Sequence, residues 1–449
     1  MMKHYDAIVI GGGILGCMTA RNLRRWNIST LLLEKGDDVC RGITRANSAI
    51  VYAGYDNKPG SLKAELTVRG NAGMESLCGE LEVPFSRCGS LMVGYDADSV
   101  QKMEQKLRNG EQNGVPGLRL LTGAEAEAME PALRKGVTAA LYAPTTGMVN
   151  PWQLGIAAYE NALQNGAEAM LRTEVTGIRR EDGGYVLTTS RGEFAAKTVF
   201  NCAGLYADQV QELLFAPTVR LDLDGAEYLV FDPLAPKPER IIFLQADSCG
   251  KGITAIPCVE GNLLVSGIRK PLKEPFATTA EGLEELHRAA KELLPDVEPA
   301  LVIRSFGAVR PNPYREDGES LHDFCIENPA PGFYSLIGVK TPGLTASHEL
   351  GLLLAQKAAG YLGTEGNPNF DPKRKAIGKA RKPDYREVIC QCGKITRGEI
   401  LDAIRRGATT VDGVKRRVGT GMGPCQGGRC AWKIAKILSQ TGANPNPLF

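Results

Sequence analysis

The chain has 449 residues, 43% of them hydrophobic and 23% charged, with 53 Lys and Arg against 51 Asp and Glu. That mix excludes collagen-like and disordered chains, and the lack of a long uninterrupted apolar run excludes a membrane-spanning helix. A single core rarely grows past roughly 250–300 residues, so two or three domains are expected. The N-terminus passes into a strand-like pattern with no basic leader or cleavage site, which predicts a cytoplasmic protein. In that reducing compartment the 12 cysteines point to metal or redox use rather than a disulfide framework. Tyr5 to Ile10 reads as a strand, Gly11-Gly12-Gly13-Ile14-Leu15-Gly16 as a turn, and Ala20, Leu23 and Trp26 mark a helix. A second strand, Ile28 to Leu33, ends at Glu34, 21 positions after Gly13. A lone G-x-G-x-x-G is weak, but in this strand–turn–helix setting, with that acid, it is a dinucleotide-binding turn. Gly11, Gly13 and Gly16 allow a tight turn and close approach to a pyrophosphate. The amides from Ile14 onward face the anion, and Glu34 accepts ribose hydroxyls.

NAD and FAD both use this turn, and the segment Gly42-Ile43-Thr44-Arg45-Ala46-Asn47-Ser48-Ala49-Ile50-Val51-Tyr52-Ala53-Gly54 decides between them. It resembles the flavin-contacting segment of the D-amino-acid-oxidase-like FAD superfamily, within the glycerol-3-phosphate dehydrogenase and L-2-hydroxyglutarate oxidase branch. Val199 to Gly204, Lys251-Gly252, Pro257 with Gly261-Asn262, Arg310-Pro311 and Gly338 to Leu344 agree, so the resemblance spans residues 5 to about 360. Asn201 to Gly204 also reads on its own as a buried strand ending in a small-residue turn. Thr341-Pro342-Gly343 precedes a helical stretch from Leu344 to Ala359, placing a helix N-terminus where negative charge on a reduced flavin is stabilised. The FAD contacts so implied are Gly11, Gly13, Ile14, Gly16, Glu34, Lys35, Thr44, Asn47, Ser48, Val175, Ala203, Gly204, Gly343 and Leu344.

The implied fold is α/β. A Rossmann-type FAD domain (about 1–79, 146–214 and 331–362) is interleaved with an α+β substrate domain (about 80–145 and 215–330). Residues 363–385, rich in Gly, Pro and Lys, read as a linker, and 386–449 as a small α-rich module. From residue 371 on there are 17 Lys and Arg against 6 Asp and Glu, while the rest is acidic. Without interleaved aromatics this reads as a basic module resting on an acidic body or partner, not as a nucleic-acid site.

Cys390-Gln391-Cys392 and Cys425 to Cys430 form C-x-C and C-x4-C pairs separated by 32 residues. Four thiolates suit either tetrahedral zinc or an iron–sulfur cluster, and C-x-C is the less typical zinc spacing. The segment resembles the 2Fe-2S domain of bacterioferritin-associated ferredoxin. The glycines between Gly419 and Gly428 let bare amides reach cluster sulfurs, and helices are expected at Arg397 to Arg406 and Ala431 to Leu438. The other eight cysteines read as core residues.

An FAD domain joined to this module resembles the large subunit of anaerobic glycerol-3-phosphate dehydrogenases. That implies a dehydrogenase passing a hydride from a small anionic hydroxy substrate to flavin, with electrons leaving singly through the cluster. It also implies a second redox subunit or electron carrier, with membrane association only peripheral and through a partner. Arg310 matches the family arginine that holds a carboxylate or phosphate, and Lys340 a position beside the flavin. Tyr52 stands where relatives commonly carry His; the four histidines, His4, His287, His322 and His348, fall outside the flavin motifs. Relatives also tend to carry a basic pair near Gly-Glu-Tyr, where this chain has Asp222 and Asp224. Two readings of the pair stay open: a solvated strand face, or a pocket wall that repels a phosphate and welcomes an ammonium. An amine or amino-acid dehydrogenase and a non-catalytic relay subunit therefore stay open as alternatives.

Overall fold

The computed structural model describes residues 2–181, 183–216, 218–245, 252–271, 274–375 and 383–442. Strands β1 (Lys3–Ile10) and β2 (Thr30–Leu33) run parallel, with Val9 opposite Leu32, and helix α1 (Ile14–Leu23) connects them. β2 is buried at every position, as a parallel strand covered on both faces must be. Gly192–Asn201 pairs in parallel with the other edge of β1, Phe333–Ile337 lies beyond it, and Glu168–Met170 flanks β2. The antiparallel strands Val175–Glu181 and Gly184–Thr189 complete one side of the sheet. Tyr5, Ile8, Leu31, Leu187 and Phe333 form one core there. On the opposite face α1 packs with the helices Pro151–Gln164 and Ser347–Leu362 through Met18, Leu23, Leu154, Leu350 and Leu354. Each such fully buried leucine contributes roughly 1.5–3 kcal/mol. Asn150 caps the first of these helices, with Pro151 in its first turn, and Gly363 ends the second in the left-handed conformation.

A second sheet of eight strands runs in the order Val302–Arg315, Val219–Phe231, Leu263–Pro271, Thr254–Pro257, Ile241–Leu244, Ser90–Gly94, Ala139–Ala143, Arg119–Thr122. Only Ile241–Leu244 with Ser90–Gly94 is parallel. The helix Ala280–Leu293 covers it with Leu286, Ala290 and Leu293 against Leu229, Phe231 and Val265. Its strands come from residues 90–143 and 219–315, so the chain leaves the first sheet and returns to it twice. The two longest strands, Val219–Phe231 and Val302–Arg315, pair with Asp224 opposite Arg310 and Asp222 opposite Asn312.

The stretch from Gly363 is not free chain over its first part. Asn27 N–H donates to the Glu365 carbonyl, Asn367 N–H to the Arg25 carbonyl and Arg374 N–H to the Glu80 carbonyl. Arg21 donates to the Pro372 carbonyl at 3.0 Å, and Arg21 and Arg25 lie over the Phe370 ring. Backbone polar groups and one aromatic ring supply the partners that its composition does not advertise. Residues 376–382 and 443–449, part of the expected linker and module, lie outside the described residues. Beyond them a ribbon, Val388–Cys390 with Ile395–Thr396, and the helices Arg397–Arg405, Val411–Val418 and Ala431–Gln440 enclose Ile389, Ile400, Val414, Ile434 and Leu438. Thr396 and Glu399 form a reciprocal cap on the first of these helices. Among the described residues no helix is long and apolar enough to cross a membrane.

Candidate active site

A cavity of about 1720 Å³ runs between the sheets from Glu34 and Val175 to Arg310 and Lys340. That exceeds the roughly 300–1,000 Å³ of an ordinary small-ligand site and leaves room for a dinucleotide beside a substrate. At one end α1 follows its N-cap Gly13 with no acid in its first turn, so its dipole meets an anion there without a competing charge. Thr44 Oγ1 takes the Ile14 N–H at 3.0 Å. Gly11 has φ +99°, and a Cβ there would stand 2.6 Å from the Cys202 carbonyl oxygen; one at Gly16 would stand 1.8 Å from that of Gly11. Glu34 accepts the Gly12 and Gly36 amides, both at 2.6 Å, which fixes its carboxylate at the end of β2 with lone pairs to spare. A helix start with no acid in its first turn, a glycine turn too tight for a Cβ and an anchored acid fit the pyrophosphate and ribose of FAD.

All the sequence-predicted FAD contacts line the cavity except Gly16, which packs behind Gly11. Lys35 Nζ sits 3.4 Å over the Tyr206 ring near Val175. Asn47 turns inward on its own segment, donating to the Thr44 carbonyl at 2.9 Å and accepting the Ala49 N–H at 2.8 Å. Ser48 Oγ lies 3.5 Å from the Tyr52 hydroxyl. Asn201 accepts the Ala203 N–H and donates to the Ala207 carbonyl, holding the Ala203–Gly204 turn at the cavity wall. The helix expected from Leu344 starts at Ser347, after a turn in which the Gly343 N–H donates to the Lys340 carbonyl at 2.7 Å. Lys251 and Cys249 lie outside the described residues.

At the other end Arg310 and Lys340 converge on a residue that sequence reading passed over. Asn312 Oδ1 accepts Lys340 Nζ at 3.1 Å and Arg310 Nε at 3.3 Å, and Arg310 also donates to Thr341 Oγ1. Asn312 Nδ2 donates to Asp224 at 2.9 Å. The signal was present: Arg310 and Asn312 alternate onto one face of one strand. Asp222 is exposed and caps the amide of Leu223, and the cavity lining on that strand begins at Gly225, so neither aspartate lines it. Tyr52 lines it and stacks on Phe243 at 6.0 Å. Of the histidines, His322 lines the mouth. His348 is half-buried, and desolvation, then Arg21 and Arg25, pushes its pKa down to about 3, so it is neutral.

In the C-terminal module Cys392 and Cys425 bring their sulfurs to 3.7 Å, and Cys390 and Cys430 form a second hydrogen-bonded pair. A metal–sulfur bond of ~2.3 Å gives a tetrahedral edge of about 3.8 Å. The two pairs also act on each other electrostatically, Cys390 on Cys392 and Cys425 on Cys430, so the four thiols share one neighbourhood. The amides of Arg429 and Gly427 hold the Cys425 thiol below its ordinary range, while burial pushes Cys430 up to about 11. This donor set fits a 2Fe-2S cluster, with backbone amides already aimed at the thiols that would ligate it.

Residues 6–357 match the family model of FAD-dependent oxidoreductases, and residues 388–440 that of the BFD-like [2Fe-2S] binding domain. The chain is 37% identical to the glycerol 3-phosphate dehydrogenase of Caloramator mitchellensis, over 97% of this chain and 94% of that one. It is 27% identical to the L-2-hydroxyglutarate dehydrogenase of Indibacter alkaliphilus, over 77% and 97%. Its fold is similar to FAD-bound, dithionite-reduced L-α-glycerophosphate oxidase from Mycoplasma pneumoniae. The TM-score there is 0.77 at 24% identity, covering 84% of this chain and 99% of that one.

Proposed function

The chain belongs to the FAD-dependent oxidoreductase family and carries a BFD-like 2Fe-2S domain, and on that premise we propose that it oxidises sn-glycerol 3-phosphate. The observation that carries this is the pair of cations, Arg310 and Lys340, gathered on Asn312 at the cavity wall. A guanidinium and an ammonium side by side bind a phosphate or carboxylate by charge-assisted hydrogen bonds. Bound FAD supplies a two-electron hydride acceptor and the cluster a one-electron outlet. Arg310 and Lys340 anchor the anion so that the C–H next to the hydroxyl is aimed in one direction. Tyr52, hydrogen-bonding with Ser48, orients the substrate hydroxyl, and Phe243 shields it from water.

The likeness to a glycerol 3-phosphate dehydrogenase along nearly the whole chain supports this substrate over a 2-hydroxy acid. The sequence ground for an amine substrate was a pocket carrying Asp222 and Asp224, and neither lines the cavity. Asp222 is exposed and Asp224 is engaged by Asn312, which weighs against that reading. Electrons leave the cluster at the exposed Cys392 edge, toward a second redox subunit or carrier. The reading keeps the protein in the cytoplasm, with any membrane contact made through that partner. A dye-linked assay with sn-glycerol 3-phosphate, L-2-hydroxyglutarate and a panel of amino acids tests it. Turnover fastest with the phosphate supports the proposal, and turnover with amino acids alone refutes it.

A further inference from the structure

Two carboxylates beside the dinucleotide turn are buried, and the FAD site uses neither. Asp38 is 2% exposed and Glu160 8%. Asp38 Oδ2 accepts Arg416 Nη2 and Arg417 Nη1, both at 2.7 Å, and Oδ1 accepts Arg417 Nη2 at 3.0 Å, a two-pronged bond. Arg416 also donates to the Val39 carbonyl. Glu160 accepts Arg406 at 3.0 Å and Arg374 at 3.3 Å, and lies 3.7 Å from Arg417 Nε. Every arginine here comes from the strap after Gly363 or from the cluster module. Burial alone lifts the Asp38 carboxyl, but Arg417 and then Arg416 hold it below the usual carboxylate range.

Buried ion pairs are weak sources of net stability, because desolvating both partners offsets most of their attraction. What they supply is geometry: a forked guanidinium on a carboxylate admits one orientation, whereas an apolar face can slide. The location matters as much. Asp38 follows Glu34 by four residues, and its segment wraps the first turn of α1, with the Cys40 N–H donating to the Gly12 carbonyl at 2.8 Å. On the module side Arg417 precedes Gly421 by four residues, and the Gly421 amide reaches the Cys430 thiol. One charge clamp therefore stands between the dinucleotide turn and the cluster loop. Electron tunnelling falls exponentially with distance, so a cluster free to drift from the flavin receives electrons slowly.

We propose that Asp38 is a positioning residue that, through Arg416 and Arg417, holds the cluster at one distance from the flavin, so that electron passage between them depends on it. Oxidation of the substrate does not. This rests on reading the cluster as the flavin's outlet. The test is anaerobic stopped-flow of the full-length holoenzyme with whichever substrate bleaches the wild-type flavin, following flavin absorbance and the cluster's electron paramagnetic resonance signal separately. In Asp38→Asn the flavin phase stays within about twofold of wild type and the cluster phase slows at least tenfold. Amide hydrogen exchange rises over residues 411–421. Arg417→Lys, which keeps a charge without the fork, shows the same split more weakly and serves if Asp38→Asn fails to fold. Cluster reduction at the wild-type rate in either variant, or loss of both phases in parallel in the folded protein, overturns the proposal. A wild-type flavin that bleaches without ever reducing the cluster overturns the outlet reading as well, which separates the two failures.

Discussion

Lys340 Nζ lies 3.1 Å from Asn312 Oδ1, and Arg310 Nε shares that oxygen at 3.3 Å. One amide oxygen thus brings two cations together, and the Asn312 Nδ2 bond to Asp224 fixes which way that amide faces. Asn312→Leu removes the acceptor while keeping most of the volume. It is expected to raise KM for sn-glycerol 3-phosphate by about 10- to 100-fold, equivalent to about 1.4–2.7 kcal/mol, with FAD content unchanged. Steady-state kinetics with a dye acceptor measure it.

A Cβ at Gly16 would meet the backbone oxygen of Gly11 at 1.8 Å, and backbone cannot swing aside as a flexible side chain does. Gly16→Ala is therefore expected to destabilise the dinucleotide turn by about 3 kcal/mol or more and to strip FAD from the purified protein. The ratio of flavin to protein absorbance and a thermal melt report both effects.

Replacing either member of the close thiol pair, Cys392→Ser or Cys425→Ser, removes one of the four thiolates expected to hold the cluster. Both variants are expected to lose iron and acid-labile sulfide while retaining FAD and substrate-driven bleaching. Iron analysis beside an anaerobic spectrum checks this.

Lys415 sits under Trp152, its Nζ 5.6 Å from the ring, with Arg304, Arg416 and Arg45 around it. Burial first, and then Arg304, pushes its ammonium from 10.5 down to about 8. Between those values the unfolded chain holds the proton that the folded chain has released, so stability rises with pH; below about pH 8 the full penalty stands. Lys415→Met removes the penalty. Its Tm is expected to exceed wild type at pH 7, by the equivalent of up to about 2–3 kcal/mol, with the gap closing toward pH 10. Differential scanning calorimetry across that range measures it.

The dinucleotide turn and the cysteine pairs were legible because their chemistry is local: glycines, an acid and thiols at fixed spacing announce themselves in a short window. Asn312 was half legible, since alternation puts it beside Arg310, but an asparagine carries no signal of its own. The Asp38 clamp was not legible. Its partners stand 378 and 379 residues away, and only the fold brings a basic module onto that one buried carboxylate. The aspartates stayed ambiguous, between a solvated strand face and a pocket wall, for a related reason. Alternation places Asp222 and Asp224 on one face, yet nothing local says that the cavity lining on that strand begins at Gly225. Likewise, the composition after Gly363 conceals that backbone bonds to Arg25 and Glu80 tie it down.

The most direct test of glycerol 3-phosphate oxidation is an anaerobic titration of the iron-replete protein with that compound, followed at flavin and cluster wavelengths. Stoichiometric flavin bleaching followed by cluster reduction, with L-2-hydroxyglutarate and amino acids far weaker, is the predicted result. Bleaching by amino acids or secondary amines, with none by either hydroxy substrate, contradicts it.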